Sequence, residues 1–80
     1  MAKSLKALCK EYEVEDFFKY ICNVFTQSSD KFHAISLFKQ MRKNDKKDFM
    51  IELNNCTFGE FGDGPWQVEL LDCIINSLEL

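Results

Sequence analysis

No lysine or arginine occurs in this chain after Lys47. Residues 48–80 carry seven acids and no base, a formal −7, whereas residues 1–47 hold ten bases against six acids, a formal +4. The modest total of −3 therefore hides two oppositely charged parts. Such a split bears on steering and choice of partner and is silent about fold.

Other scarcities exclude whole classes of function. The single histidine, His33, leaves no second imidazole for a zinc site, and Cys9, Cys22, Cys56 and Cys73 contain no Cys-x-x-Cys pair. No run resembling Asp-x-Asp-x-Asp-Gly surrounds Asp63, so a calcium loop has no support. Metals and cofactors are accordingly not expected. The most apolar stretch, near the C-terminus, is broken by Glu69, Asp72 and Asn76, which argues against a membrane span. The start, Met1-Ala2-Lys3-Ser4-Leu5-Lys6, leads into no apolar signal core, so we expect a cytoplasmic protein with reduced core thiols.

Glycine and proline are almost as rare. All three Gly and the one Pro lie within Thr57-Phe58-Gly59-Glu60-Phe61-Gly62-Asp63-Gly64-Pro65-Trp66, which also holds the only Trp. Such punctuation marks an ordered loop. Gly59-Glu60-Phe61-Gly62 resembles the Gly-x-x-Gly of RNA-binding KH loops over four residues only, and Glu60 and Asp63 would repel the phosphates that such a loop clamps.

What is abundant is hydrophobic and aromatic. Hydrophobic residues make up 46% of the chain and aromatics 14%, with eight Phe, two Tyr and one Trp. Large rings help a short chain, which has little surface to bury, to make a workable core. The 3.6-residue period recurs in five segments. The first, about 4–12, places Leu5, Leu8 and Cys9 on one side. The second, about 14–27, gathers Tyr20, Val24, Phe17, Ile21, Val14, Phe25, Phe18 and Cys22 on one face, with Glu15, Thr26, Lys19, Asn23 and Asp16 opposite. Ser28, Ser29 and Asp30 supply capping chemistry for a third helix, about 29–43, with a stripe of Ala34, Leu37, Phe38 and Met41. Phe32 and Ile35 sit at its shoulder, and its basic last turn would suit the helix dipole.

Asn44 or Asp45 would cap a fourth helix to about residue 55. Phe49, Ile51 and Leu53 also alternate as a strand would, so a β-hairpin within 48–61 is the alternative. The fifth segment, about 65–78, is apolar around most of its circumference, with Glu69, Asp72, Asn76 and Glu79 in a narrow polar strip. A helix of that kind is either central to a bundle or half of an intermolecular contact. The expected fold is therefore all-α, one helical domain over 1–80 built as a compact bundle of four to five short helices, with α+β as the alternative.

Catalysis finds no foothold. His33 lies beside Ser36 and Gln40 on a polar face with no thiol placed near it, and Glu11, Glu13, Glu15 and Asp16 have no apolar walls to shift their protonation. Residues 5–14 superficially read like the opening of a helix-turn-helix, but Glu13 occupies the turn position that prefers Gly and Lys19 a position that should be buried.

Two groups remain. Phe58, Glu60, Phe61, Asp63, Trp66, Glu69 and Asp72 form an aromatic cluster with an acidic rim, suited to a basic protein surface. Lys39, Arg42, Lys43, Lys46 and Lys47 form a basic patch able to meet phosphates or an acidic surface, though without interleaved stacking aromatics. We expect a non-enzymatic protein-binding domain, such as a small inhibitor, adaptor or subunit, whose partner is another protein with a basic surface. The alternatives are a nucleic-acid-binding protein using the basic patch, which the acidic balance disfavours, and a structural protein that forms a homodimer through its last helix.

Overall fold

The computed structural model describes residues 2–28, 30–55 and 65–78, with the Leu78 side chain left aside, and these residues are all-α. The order is α1 (Leu5–Tyr12), α2 (Phe17–Asn23) continued by a π-helical turn (Val24–Ser28), α3 (Lys31–Lys39), α4 (Lys43–Asn54) and α5 (Trp66–Leu78).

The first three helices start where a short polar side chain can accept a free backbone N–H. Ser4 accepts from Ala7 at 3.2 Å, Asp16 from Lys19 at 3.2 Å and Asp30 from His33 at 2.9 Å. Of the three candidate caps before α3, Asp30 is the one used. The end of α1 is less comfortable. Glu13 adopts φ 56° and ψ 47°, and the N–H groups of Glu13 and Val14 return to the carbonyls of Lys10 and Cys9. That closure normally takes a glycine, because a Cβ in the left-handed region costs about 1 kcal/mol. The turn that disfavoured a helix-turn-helix reading is thus left-handed all the same, with Glu in place.

Three expected boundaries are corrected. The second helix begins at Phe17, not near residue 14, and its last turn widens into the π form. There the Thr26 hydroxyl donates to the Cys22 carbonyl at 2.9 Å, competing with the backbone ladder. The third helix ends at Lys39, four residues short of the expected end, because Met41 turns inward to complete burial and pairs its backbone with Lys3 in an isolated parallel bridge. The Lys3 N–H donates to the Gln40 carbonyl at 2.9 Å, tying the N-terminal segment to the α3–α4 junction.

The fourth helix begins at Lys43, so neither Asn44 nor Asp45 caps it. Arg42 holds the cap position without any side-chain capping bond. Residues 48–54 are helical, which removes that part of the hairpin alternative; residues 56–61 lie outside the described residues. The physical choice is visible in the side chains: Phe49 and Leu53, four apart, are buried, whereas Ile51 is 49% exposed. Helical i, i+4 spacing wins over strand alternation.

The core gathers Leu8 from α1, Phe17 and Ile21 from α2, Leu37 and Phe38 from α3, Phe49 and Leu53 from α4, and Leu70 and Ile74 from α5. Aromatic contacts run through it: Phe49 meets Phe18 edge-on at 5.3 Å and Phe38 at 5.9 Å, while Tyr12, Phe17 and Tyr20 form a triangle at 5.6–6.1 Å. Among the described residues no charged or polar residue is buried in it. Helix α5 packs on both α3 and α4, and so leaves a seam on each side.

Candidate functional site

The two seams are open grooves. One, about 840 Å³, lies between α3 and α5 and is lined by Lys31, Phe32, Ile35, Lys39, Cys73 and Asn76 among others. The other, about 920 Å³, lies between α4 and α5, with Met50, Ile51, Leu71 and Ile75 on its floor and Lys43, Lys46 and Lys47 along its α4 side.

The exposed apolar surface gathers around these seams. Val68 is 71% exposed and Ile75 41%, both on α5, and Ile75 lines the same groove as Ile51 of α4. On α3, Phe32 is 91% exposed, further out than its expected shoulder position, because its sector of the helix is otherwise polar. With about 3.6 residues per turn, Leu71, Ile75, Val68, Asp72 and Glu69 follow one another around α5 in that order. The face therefore passes from apolar residues beside α4 to acids on the far side.

Of the aromatic-acidic cluster, Trp66, Glu69 and Asp72 fall on described residues, and they separate. Glu69 and Asp72 are exposed, and no cation among the described residues lies within ion-pair distance of either. Asp72 accepts a long bond from Asn76 at 3.5 Å. Trp66 is a core residue at 9% exposure, so its ring seals the bundle and offers almost no surface to a partner, which corrects its place in the expected contact set. A wide ring at the first position of α5 is more useful under the helix than outside it. Phe58, Glu60, Phe61 and Asp63 lie outside the described residues, as does Cys56.

The basic patch is also divided. Lys43, Lys46 and Lys47 meet along the α4–α5 groove, Lys39 lines the opposite groove, and the exposed Arg42 lines neither. Since α3 stops at Lys39, Lys43, expected in its last turn, stands instead at the start of α4, ahead of Lys46 and Lys47. There the helix end is positive, and a cation in the first turn, such as Lys43, costs about 0.3–1 kcal/mol at low salt. Asp45 in the same turn offsets part of this, and Lys46 rests its ammonium 5.9 Å from the centre of the Phe38 ring.

Elsewhere, His33 is exposed on α3. Among the described residues no three His, Cys, Asp or Glu side chains gather closely enough to hold a metal ion, and no helix is long and apolar enough to cross a membrane. Among the described residues Cys9, Cys22 and Cys73 are not joined in disulfides; Cys22 is buried, while the other two are half-buried. On α5 the Gln67 Nε2 and Ser77 Oγ atoms are buried without a hydrogen-bond partner.

Sequence reasoning missed the α4–α5 groove as a unit. The signal was present in the wide apolar arc of α5, which a single neighbour cannot cover. What was lacking was the pairing of α5 with α4. No protein family matches this chain, and neither a curated protein nor a solved structure is significantly similar to it.

Proposed function

We propose that this chain is a non-enzymatic protein-binding domain whose contact surface is the outward side of α5 and the groove beside it. One observation carries the reading: α5 is core on one side, yet keeps Val68 and Ile75 exposed on the other, and Ile75 shares the α4–α5 groove with the exposed Ile51. Isolated exposed apolar residues need no explanation, but Ile51 and Ile75 share one groove and Val68 follows Ile75 on the same side of α5, an arrangement of the kind that interfaces use. Around it, Glu69 and Asp72 supply the polar rim that orients a partner and speeds encounter. The acidic rim was legible beforehand; its apolar centre is Val68 and Ile75, in place of Trp66.

The test is affinity capture from a cell extract, quantified by mass spectrometry, with Val68→Asp and Ile75→Asp as loss variants and Phe32→Asp as a control on the other groove. Capture of a defined protein by wild type and Phe32→Asp, reduced at least tenfold in both α5 variants, supports the reading. Equal recovery by all four proteins removes the α5 face from consideration.

A further inference from the structure

Resting on the reading of α5 as a contact surface, we infer that the α4–α5 face binds a second copy of this chain about a twofold axis. The argument lies in how charge is distributed across that face. Its α4 side carries Lys43 and Lys47, both exposed, together with the half-buried Lys46. Ile51, Leu71 and Ile75 form its apolar centre, with the exposed Val68 beside Ile75 around α5; beyond them Asp72 borders the patch and Glu69 stands at the edge that turns toward α3.

A twofold contact brings one patch against itself turned through half a revolution, so a patch fits only if its two flanks are complementary. This face meets that condition: rotation about its apolar centre lays the lysines of each copy on the acids of the other. A uniformly basic peptide would meet repulsion on the α4 flank, and a uniformly acidic one on the α5 flank. A membrane surface rich in anionic lipid would likewise be repelled by Asp72 and Glu69. The positions of the cations point the same way. At the start of α4 Lys43 opposes the helix dipole, so the stability of the isolated chain does not account for it. Size raises no obstacle: a standard interface takes about 800 Å² from each partner, roughly 15% of the 5345 Å² that this chain exposes.

The decisive experiment uses two charge-reversed variants of the full chain and sedimentation equilibrium from micromolar to millimolar protein. One carries Lys43→Glu and Lys47→Glu, leaving Lys46 on its aromatic ring; the other carries Glu69→Lys and Asp72→Lys. Wild type should show a concentration-dependent mass reaching twice 9.4 kDa. Each variant alone should weaken association at least tenfold, because like charges meet at both flanks. Mixed in equal amounts they should form a heterodimer, since every flank then faces its opposite. Circular dichroism and thermal melting confirm that both variants are folded; the α4 variant should melt no lower than wild type, as acids suit that helix end. Val68→Asp, a substitution at an exposed position, gives a second loss variant that leaves both charged flanks intact.

A monomer mass throughout the range overturns the inference, as does a mass that climbs past the dimer, which would signify a head-to-tail contact. Recovery of neither variant's association on mixing overturns it too. The α5 contact reading is judged separately by affinity capture: a monomer that still loses a captured protein on Val68→Asp refutes the homodimer alone.

Discussion

The first three helices and α4 begin in different ways. Helices α1, α2 and α3 each open on a side chain that accepts a backbone N–H, from Ser4, Asp16 and Asp30. Helix α4 opens on Arg42 with no side-chain capping bond and with Lys43 against its dipole. Exposure divides along the same line, since three of the four large exposed hydrophobics, Ile51, Val68 and Ile75, belong to α4 and α5. The front of the molecule carries the local devices that stabilise helices. The α4–α5 pair keeps features that weaken the isolated chain but suit contact with another surface. That contrast, and not any single residue, locates the candidate site.

The strongest way to sharpen the contrast is to compare the two sides of the α4–α5 pair. Phe49→Ala removes a fully buried ring that touches Phe18 and Phe38 and should cost about 3–5 kcal/mol in urea unfolding. Val68→Ala, on the outer side, should change the same measurement by less than about 0.5 kcal/mol. A comparable loss at Val68 would mean that its face is already covered within the chain.

Capping offers a reciprocal pair. Asp30→Ala should lower stability by about 1 kcal/mol, because the His33 N–H loses its acceptor at an exposed helix start. Arg42→Asp should raise it by about 0.5–1 kcal/mol, because Arg42 has the extended backbone of a cap (φ −72°, ψ 159°) and lacks only the accepting oxygen. Thermal melting of both variants reads the signs. A destabilising Arg42→Asp would show that α4 begins well enough as it is and would erase the difference between front and back.

The smallest effect concerns the front half alone. Its exposed Lys3–Glu11 ion pair raises the Lys3 ammonium above its ordinary pKa, chiefly through the hydrogen bond to Glu11. For a group whose folded pKa is raised, the contribution is present below the unfolded value and fades as pH rises through the folded one. Wild type should therefore lose a slight advantage over Lys3→Met above about pH 10.5, with the two melting profiles converging there. An unchanged gap through alkaline pH would show that the pair adds nothing.

Helix number and most inward faces were legible because periodicity reports burial directly. The stripe from Phe17 to Phe25 and the inward Leu37 and Phe38 follow from spacing alone. The boundary near residue 40 was not legible, because nothing in the local pattern shows that Met41 completes its burial outside a helix. That one boundary moved Lys43 from the end of α3 to the start of α4, and so reversed the sense of its interaction with a helix dipole. The candidate site was half legible. Glu69 and Asp72 stand exposed as the polar strip of α5 required, whereas Trp66 went to the core because a ring at that position has a bundle to fill.

Taken alone, the amino-acid order settled what short-range physics can settle: five helical segments, their apolar stripes, the candidate caps and the separation of charge between front and back. It also indicated that α5 was more apolar than a surface helix needs to be. Only the packing decided which neighbours α5 would have, and hence which part of its apolar arc stayed uncovered. The reason is that a hydrophobic stripe specifies burial without specifying a partner. The groove beside α5 belongs to two helices whose adjacency no local spacing encodes.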